Sequence, residues 1–220
     1  MRRLPVYFLL DTSGSMRGEP IQAVNKALSA LLASLRCYPE AMEALHLSVI
    51  LFNKEPTEIL PLTKLDSATI TKISCPSSSP TYTGKALELL IKTIAPQLAK
   101  RRLQSYLHHK PLIFLVTDGK ASDIYLYKEM TSIVSSSEYG IKIGCAISNE
   151  ADINALKTFS NTIIKIATAD FESINQFMEW CKELILSIIN DDSDIFDSSD
   201  ILNPDKPILP KLHGRLLLIN

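Results

Sequence analysis

The chain has 220 residues, a formal net charge of −1 and 46% hydrophobic side chains. That length is enough for one domain with a sizeable core, the near-neutral charge argues against a general nucleic-acid binder, and no apolar run reaches the roughly 18 residues of a membrane span. Arg2, Arg3 and Pro5 precede the first apolar run, but Asp11 arrives too early for a signal-peptide core; the four cysteines (Cys37, Cys75, Cys145, Cys181) form no CxxC pair, so reduced thiols and a cytoplasmic location are expected.

Val6 to Leu10 is an unbroken apolar run and predicts a buried strand. Ile21, Val24, Leu28, Leu31, Leu32 and Leu35 recur at helical spacing, so residues 20 to 37 predict a helix. Pro20 suits its first turn, where no backbone N–H is needed. Leu45 to Phe52 is a second strand, and Thr57 to Leu60 a short third, ended by Pro61. Residues 61 to 82, rich in Ser, Thr and Pro, predict a long loop with room for one helical turn. Gly84 to Lys100 has helical spacing, with Pro96 expected to kink or shorten it. Residues 111 to 117, "PLIFLVT", carry the strongest strand pattern. A helix over 123 to 137, a strand over Ile141 to Ile147, a short helix over 151 to 159, a strand over Thr162 to Ile166 and a closing helix over 171 to 189 follow.

Beyond Asn190 the composition changes: residues 191 to 205 hold six aspartates and no Lys or Arg, which predicts a linker or tail. The terminal "GRLLLIN" is apolar again and can dock as a strand. The expected organisation is one domain over 1–190 followed by an acidic linker and C-terminal tail over 191–220. Alternating strands and helices predict the fold class: α/β, a doubly wound, mostly parallel central sheet with helices on both faces, Rossmann-like in design.

In such a sheet, ligands bind beyond the carboxyl ends of the strands where strand order reverses. The first strand stops at Asp11, and "DTSGS" then places Asp11, Ser13 and Ser15 at every second position. If this stretch stays extended, all three point to one side. Carboxylate and hydroxyl oxygens suit a hard divalent cation such as Mg2+. "VTDGKASD" repeats the pattern: a second strand stops at Thr117 and Asp118. With the strand order 3-2-1-4-5-6, Asp11 and Asp118 flank one crevice, and two carboxylates that close repel unless a cation lies between them. Thr81, in "PTYTGKAL" ahead of a helix, is a further candidate.

Together these residues resemble the metal-ion-dependent adhesion site of von Willebrand factor type A domains: the DxSxS motif at Asp11, Ser13 and Ser15, the isolated threonine at Thr81 and the fourth-strand aspartate at Asp118. The resemblance covers roughly residues 4 to 190. It implies that Ser13, Ser15 and Thr81 bind Mg2+ through their hydroxyls, with Mn2+ or Ca2+ as possible substitutes. Asp11 and Asp118 would bind directly or through water, and one position would stay open for an acidic side chain from a protein partner. The stretch "RRLPVYFLLDTSGSMRGEPIQAVNKAL" is similar, more narrowly, to the bacterial TerY-like proteins of the tellurium-resistance group. That similarity implies a tellurium or chemical-stress response with a protein kinase and a protein phosphatase as partners. Many members of the wider family carry glycines before the threonine; here Ser77, Ser78, Ser79 and Pro80 stand there, which implies a stiffer loop.

Other residues are read more plainly. Thr83 and Asp123 are expected to be helix caps or to lie behind the site. His108 and His109, beside Lys110, predict a solvated basic loop, since no Cys or acidic partner sits at ligand spacing. Tyr125 and Tyr127 could rim the binding face, though surface or core packing is the default, and Trp180 is expected in the core. Enzyme readings lack their motifs. A dehalogenase-type phosphatase needs an acid two residues after Asp11, where Ser13 stands; a P-loop needs Gly at 79 and Ser or Thr at 86, where Ser79 and Ala86 stand; no GxSxG elbow occurs. The protein is therefore expected not to be an enzyme, with a metal-dependent phosphohydrolase as the alternative.

Overall fold

Every residue of Leu4–Asp11 (β1) is buried, and its side chains alternate between two apolar layers. Leu4, Val6, Phe8 and Leu10 enter one, Tyr7 and Leu9 the other. A strand buried on both faces belongs at the centre of a sheet covered on both sides. The computed structural model, which describes residues 1–148, 151–191 and 214–219, places it there.

The sheet has the order β3-β2-β1-β4-β5-β6-β7, with β2 at Leu45–Phe52, β3 at Thr57–Lys64, β4 at Leu112–Thr117, β5 at Ile141–Ile147, β6 at Thr162–Ile166 and β7 at Leu216–Ile219. The five inner strands run parallel; β3 and β7 are antiparallel to their neighbours at the two edges. Helices α1 (Glu19–Leu35), α2 (Pro39–Ala44) and α6 (Phe171–Asn190) cover the face of Val6 and Phe8, while α3 (Thr83–Leu103), α4 (Ile124–Val134) and α5 (Ile153–Phe159) cover the face of Tyr7 and Leu9. Aromatic rings tie the first layer together. Phe8 stacks on Phe114 at 4.7 Å, Phe114 meets Phe177 edge-on at 6.2 Å, and Phe177 stacks on Trp180 at 6.2 Å. Trp180 is thus in the core, as expected.

Three features differ from the sequence expectation. Strand β3 does not stop at Pro61 but runs on to Lys64; an edge strand has one side free of ladder bonds, so a residue without an N–H is tolerated there. The short helix α2 was not predicted. Residues 65–82 contain no helix, but a single turn opens them, where the Ser67 and Ala68 N–H groups donate to the Lys64 and Leu65 carbonyls at 3.0 and 3.4 Å, in keeping with the one turn expected there. Helix α3 is not shortened at Pro96 but continues through it to Leu103. Pro96 is exposed, so the Lys92 carbonyl that loses its partner can be hydrated. Pro96→Ala should therefore restore one helical hydrogen bond and raise stability by about 1–2 kcal/mol, the helix-interior cost of proline less its unfolded-state benefit. An upward shift of the urea midpoint with unchanged slope is the expected reading.

His108 and His109 also depart from expectation. Both are buried rather than solvated, because Arg3 extends β1 backwards across them: Arg3 N–H donates to the Leu107 carbonyl and His109 N–H to the Arg3 carbonyl, each at 2.8 Å. The apolar C-terminal stretch does dock as a strand. β7 pairs with β6, and Arg215 anchors its entry through ion pairs with Asp170 at 2.9 Å and Glu172 at 3.1 Å. The acidic stretch that follows Asp191 lies outside the described residues. Among the described residues, no helix is long and apolar enough to cross a membrane.

Candidate metal centre

From β1 the connections run through α1 to β2 on one side, while β4 is reached by way of α3 and takes the other side. The switch point therefore lies between β1 and β4, at their carboxyl ends. The pairing of these two strands ends at Leu10 against Val116, which sets Asp11 beside Thr117. The Thr117 hydroxyl donates to Asp11 Oδ2 at 2.5 Å, and the Ser13 N–H donates to Asp11 Oδ1 at 2.8 Å. Asp11 and Ser13 are each 1% exposed.

The expected extended run from Asp11 to Ser15 is not what brings the hydroxyls together. Gly14–Met16 forms a turn of 3-10 helix, and Ser13 Oγ and Ser15 Oγ meet across it at 3.1 Å. The Ser15 hydroxyl then donates to Asp118 Oδ1 at 2.8 Å. A line of three oxygens thus crosses from Ser13 to Asp118 at the end of β4, and the Ser13 N–H ties it to Asp11 at the end of β1. Space at Gly14 is tight: a Cβ would stand 3.2 Å from Ser78 Cα, and the Gly14 N–H donates to the Ser79 carbonyl at 3.3 Å. The serine-rich loop lies directly on the turn.

Thr81 is held from two sides. Its backbone exchanges bonds with Ser122, at 3.3 Å to the Ser122 hydroxyl and 2.8 Å from the Ser122 N–H. The next residue, Tyr82, donates its N–H to the Asn53 carbonyl at 3.0 Å. The Thr81 hydroxyl is close enough to Gly119 that a Cβ there would stand 3.3 Å from it. All five sequence-predicted residues therefore gather at one switch point, Thr81 by way of Gly119.

Sequence reasoning anticipated Asp123 as a cap but missed Thr117 and Asn53, which also hold this arrangement. Thr117 donates to Asp11. Asn53 donates to the Thr12 hydroxyl at 3.0 Å, while that hydroxyl donates to the Phe52 carbonyl at 3.1 Å. Asp123 is a cap, but of α3 and not of its own helix α4: its two carboxylate oxygens accept from Gly84 N–H at 3.0 Å and Lys85 N–H at 2.9 Å. Single polar side chains acting on distant backbone leave no periodic signal in sequence. Of the two tyrosines, Tyr127 packs in the core and Tyr125 is almost fully exposed.

Electrostatically the centre disfavours the ionised form of Asp11. Burial pushes the Asp11 carboxyl up to about 6, with the charge of Asp118 adding to the shift, against the opposing hydrogen bonds from Thr117 and Ser13. The Cys75 thiol is pushed up to about 11, by burial first and then by Asp11 and Asp118. Among the described residues no group of three or more His, Cys, Asp or Glu side chains forms a metal-binding set; what gathers at the switch point is two carboxylates and three hydroxyls. Such oxygens fit a hard divalent cation. The oxygen separations of 2.8 and 3.1 Å also match the edge of about 3 Å of an octahedron with the bond lengths of Mg2+.

The sign of the pH dependence follows. A carboxyl raised above its ordinary value of 3.8 favours the folded protein most when protonated; this contribution is complete below about pH 4 and is lost as pH rises through about 6. Cation binding needs the carboxylate and runs the other way. The apparent Mg2+ affinity should be about tenfold weaker at pH 5 than at pH 7, since the ionised fraction of a group with a pKa near 6 changes by that factor. Calorimetric titration at the two pH values measures it, and equal affinities would separate Asp11 from the cation.

Fold and centre together define a doubly wound α/β protein with an oxygen-lined cluster at its switch point. The model of the von Willebrand factor type A domain matches residues 6–180, and the chain belongs to this family. No curated protein matches the chain. Among solved structures it is similar to proximal thread matrix protein 1 (PTMP1) from the mussel byssus, at 14% identity and a TM-score of 0.62 over 84% of this chain and 48% of that one. Another structure of the mussel protein, with a zinc-occupied MIDAS motif, gives 14% identity and a TM-score of 0.56 over the same shares, 84% and 48%. A variant of the PilB minor pilin from Streptococcus sanguinis gives 14% identity and a TM-score of 0.60 over 84% of this chain and 62% of that one. The chain thus spans about half the length of the mussel protein, and the likeness is one of fold.

Proposed function

We propose that this chain is a Mg2+-dependent protein-interaction module, in which Asp11, Ser13, Ser15, Thr81 and Asp118 hold the cation. The observation that carries this reading is the line of oxygens from Ser13 Oγ through Ser15 Oγ to Asp118 across the switch point, with Asp11 tied to its start by the Ser13 N–H. The zinc-occupied motif of the mussel protein supports a divalent cation in this family, and the all-oxygen donor set favours Mg2+, with Mn2+ or Ca2+ as substitutes. When bound, the cation supplies an electrophilic position that attracts a carboxylate oxygen from a protein partner. The chain's own residues fix that position and keep its charge from being fully neutralised, since three of the five donors are neutral hydroxyls. The interaction domain is built from residues 1–190 together with β7, to which the acidic stretch joins them in sequence.

The resemblance of residues 2–28 to TerY-like proteins supports a cytoplasmic role in a bacterial tellurium or chemical-stress response, with a protein kinase and a protein phosphatase as partners. In this reading the module binds and does not catalyse. The other class, a metal-dependent phosphohydrolase, predicts Mg2+- or Mn2+-dependent release of phosphate from a generic phosphoester, lost in Asp11→Ala. Binding is tested by calorimetry: Ser13→Ala and Ser15→Ala each remove one neutral donor and should weaken Mg2+ about tenfold, as ligand-shell losses do. Thr81→Ala, on a separate loop, should weaken Mg2+ less. Wild-type affinity in all three would refute the hydroxyl assignment.

A further inference from the structure

Beside the oxygen cluster the surface continues into a second hollow. The cluster itself opens on a cleft of about 770 Å3 lined by Ser15, Asp118 and Gly119 on one side and by the start of α5 on the other. Next to it a narrower slot of about 280 Å3 opens between α4 and α5, walled by Ala121, Ile124, Tyr127 and Ala155. Lys120, Asp152 and Asn154 border both spaces, so cleft and slot adjoin at these three side chains. The slot's walls are fixed. The Tyr127 hydroxyl donates to the Ala155 carbonyl at 2.8 Å, tying α4 to α5, and Asp152 accepts the Ala155 N–H at 3.0 Å as the cap of α5.

Two further observations mark this surface as one that meets a partner. Ile124 and Tyr125, in the first turn of α4, are 54% and 91% exposed, and large apolar side chains beside a polar cleft are typical of interaction surfaces. Among the described residues that line the slot, Lys120 and Lys128 stand against one carboxylate, the capping Asp152, so this lining favours a segment of acidic character and disfavours a basic one.

We infer that the slot takes an apolar side chain from the same partner segment that offers its carboxylate to the metal. The recognised motif is then an acidic residue followed closely by one of leucine size, in a segment of net negative charge. This rests on the reading of the metal centre given above. The carboxylate supplies dependence on the cation, and the slot discriminates among acidic partners, which a metal alone cannot do.

The test uses short acetylated glycine peptides that carry one aspartate and, at successive spacings after it, either a leucine or a serine. Binding to the full chain is followed by the amide shifts of Ala121, Ala155 and Thr158, in Mg2+ and in EDTA. At one spacing the leucine peptide should bind at least about tenfold tighter than its serine counterpart in Mg2+, the factor expected for burying one aliphatic side chain. Ala121→Phe, which fills the slot, should abolish that preference without changing calorimetric Mg2+ binding. Ile124→Ser, at an exposed position with little core to lose, should reduce it. Equal affinity of leucine and serine peptides at every spacing overturns the slot; if both still require Mg2+, the metal reading survives. A leucine preference that persists in EDTA upholds the slot as an apolar site and defeats the metal reading instead.

Discussion

Asp11→Asn should abolish the thermal stabilisation that Mg2+ confers while leaving the sheet folded. In the wild type, Mg2+ at a hundred times its dissociation constant stabilises by about 2.7 kcal/mol, a rise in melting temperature of roughly 5–10 °C for a chain of this size. The substitution removes a charge but keeps an oxygen at Oδ1 for the Ser13 N–H, which now bonds there at 2.8 Å. No core contact is lost, because Asp11 lies at the very end of β1. The metal-free variant should be the more stable of the two at pH 7. Ionised Asp11 is buried and sits near Asp118, and its displacement from 3.8 to about 6 corresponds to roughly 3 kcal/mol of folded-state cost. Part of that gain is lost in the bond from Thr117. Melts with Mg2+ and with EDTA decide the matter, and an unchanged Mg2+ shift in Asp11→Asn would remove Asp11 from the centre.

Gly84→Ala should have the largest structural effect of any single methyl group near the site. A Cβ at this position would stand 2.5 Å from the Tyr127 backbone nitrogen and 2.8 Å from both the Leu126 carbonyl carbon and Asp123 Oδ2. Two of these three are backbone atoms of α4, so no side-chain rotation relieves the contact, and α3 must move away from α4. Overpacking of this kind costs about 2–3 kcal/mol. The movement would also strain the bonds from Gly84 and Lys85 to Asp123, and with them the loop that carries Thr81. Mg2+ affinity should therefore fall along with the urea midpoint. A loss below about 0.5 kcal/mol, within the range of a neutral surface change, would mean that the two helices are not locked together at this glycine.

Much of the fold was legible because its inner strands are long apolar runs. The strands over 141–147 and 162–166 fall where the sequence placed them, and β1 and β4 differ only at their ends. The same legibility extended to Asp11 and Asp118, since an acid that terminates a buried strand is conspicuous. The short α2 was hidden because six residues give too little periodicity. Pro61 and Pro96 misled because edge position and solvent exposure, which make proline tolerable, are tertiary properties. His108 and His109 looked solvated because the Arg3 backbone that covers them comes from the other end of the sequence. Ser13 and Ser15 were rightly grouped for an incorrect reason: a tight turn, and not extended alternation, brings their hydroxyls into contact.

The last strand has a bearing on how the C-terminal region can be dissected. β7 covers β6, whose residues Ile163, Ile164 and Ile166 would otherwise offer an unprotected row of backbone donors and acceptors beside apolar side chains. Such a row is a template for pairing with another molecule. A chain cut at Asn190 to remove the aspartates would also remove that cover, and self-association through β6 would then pass for a property of the acidic stretch. Replacing the aspartates by asparagine, with Arg215 and its ion pairs left in place, separates charge from sheet closure.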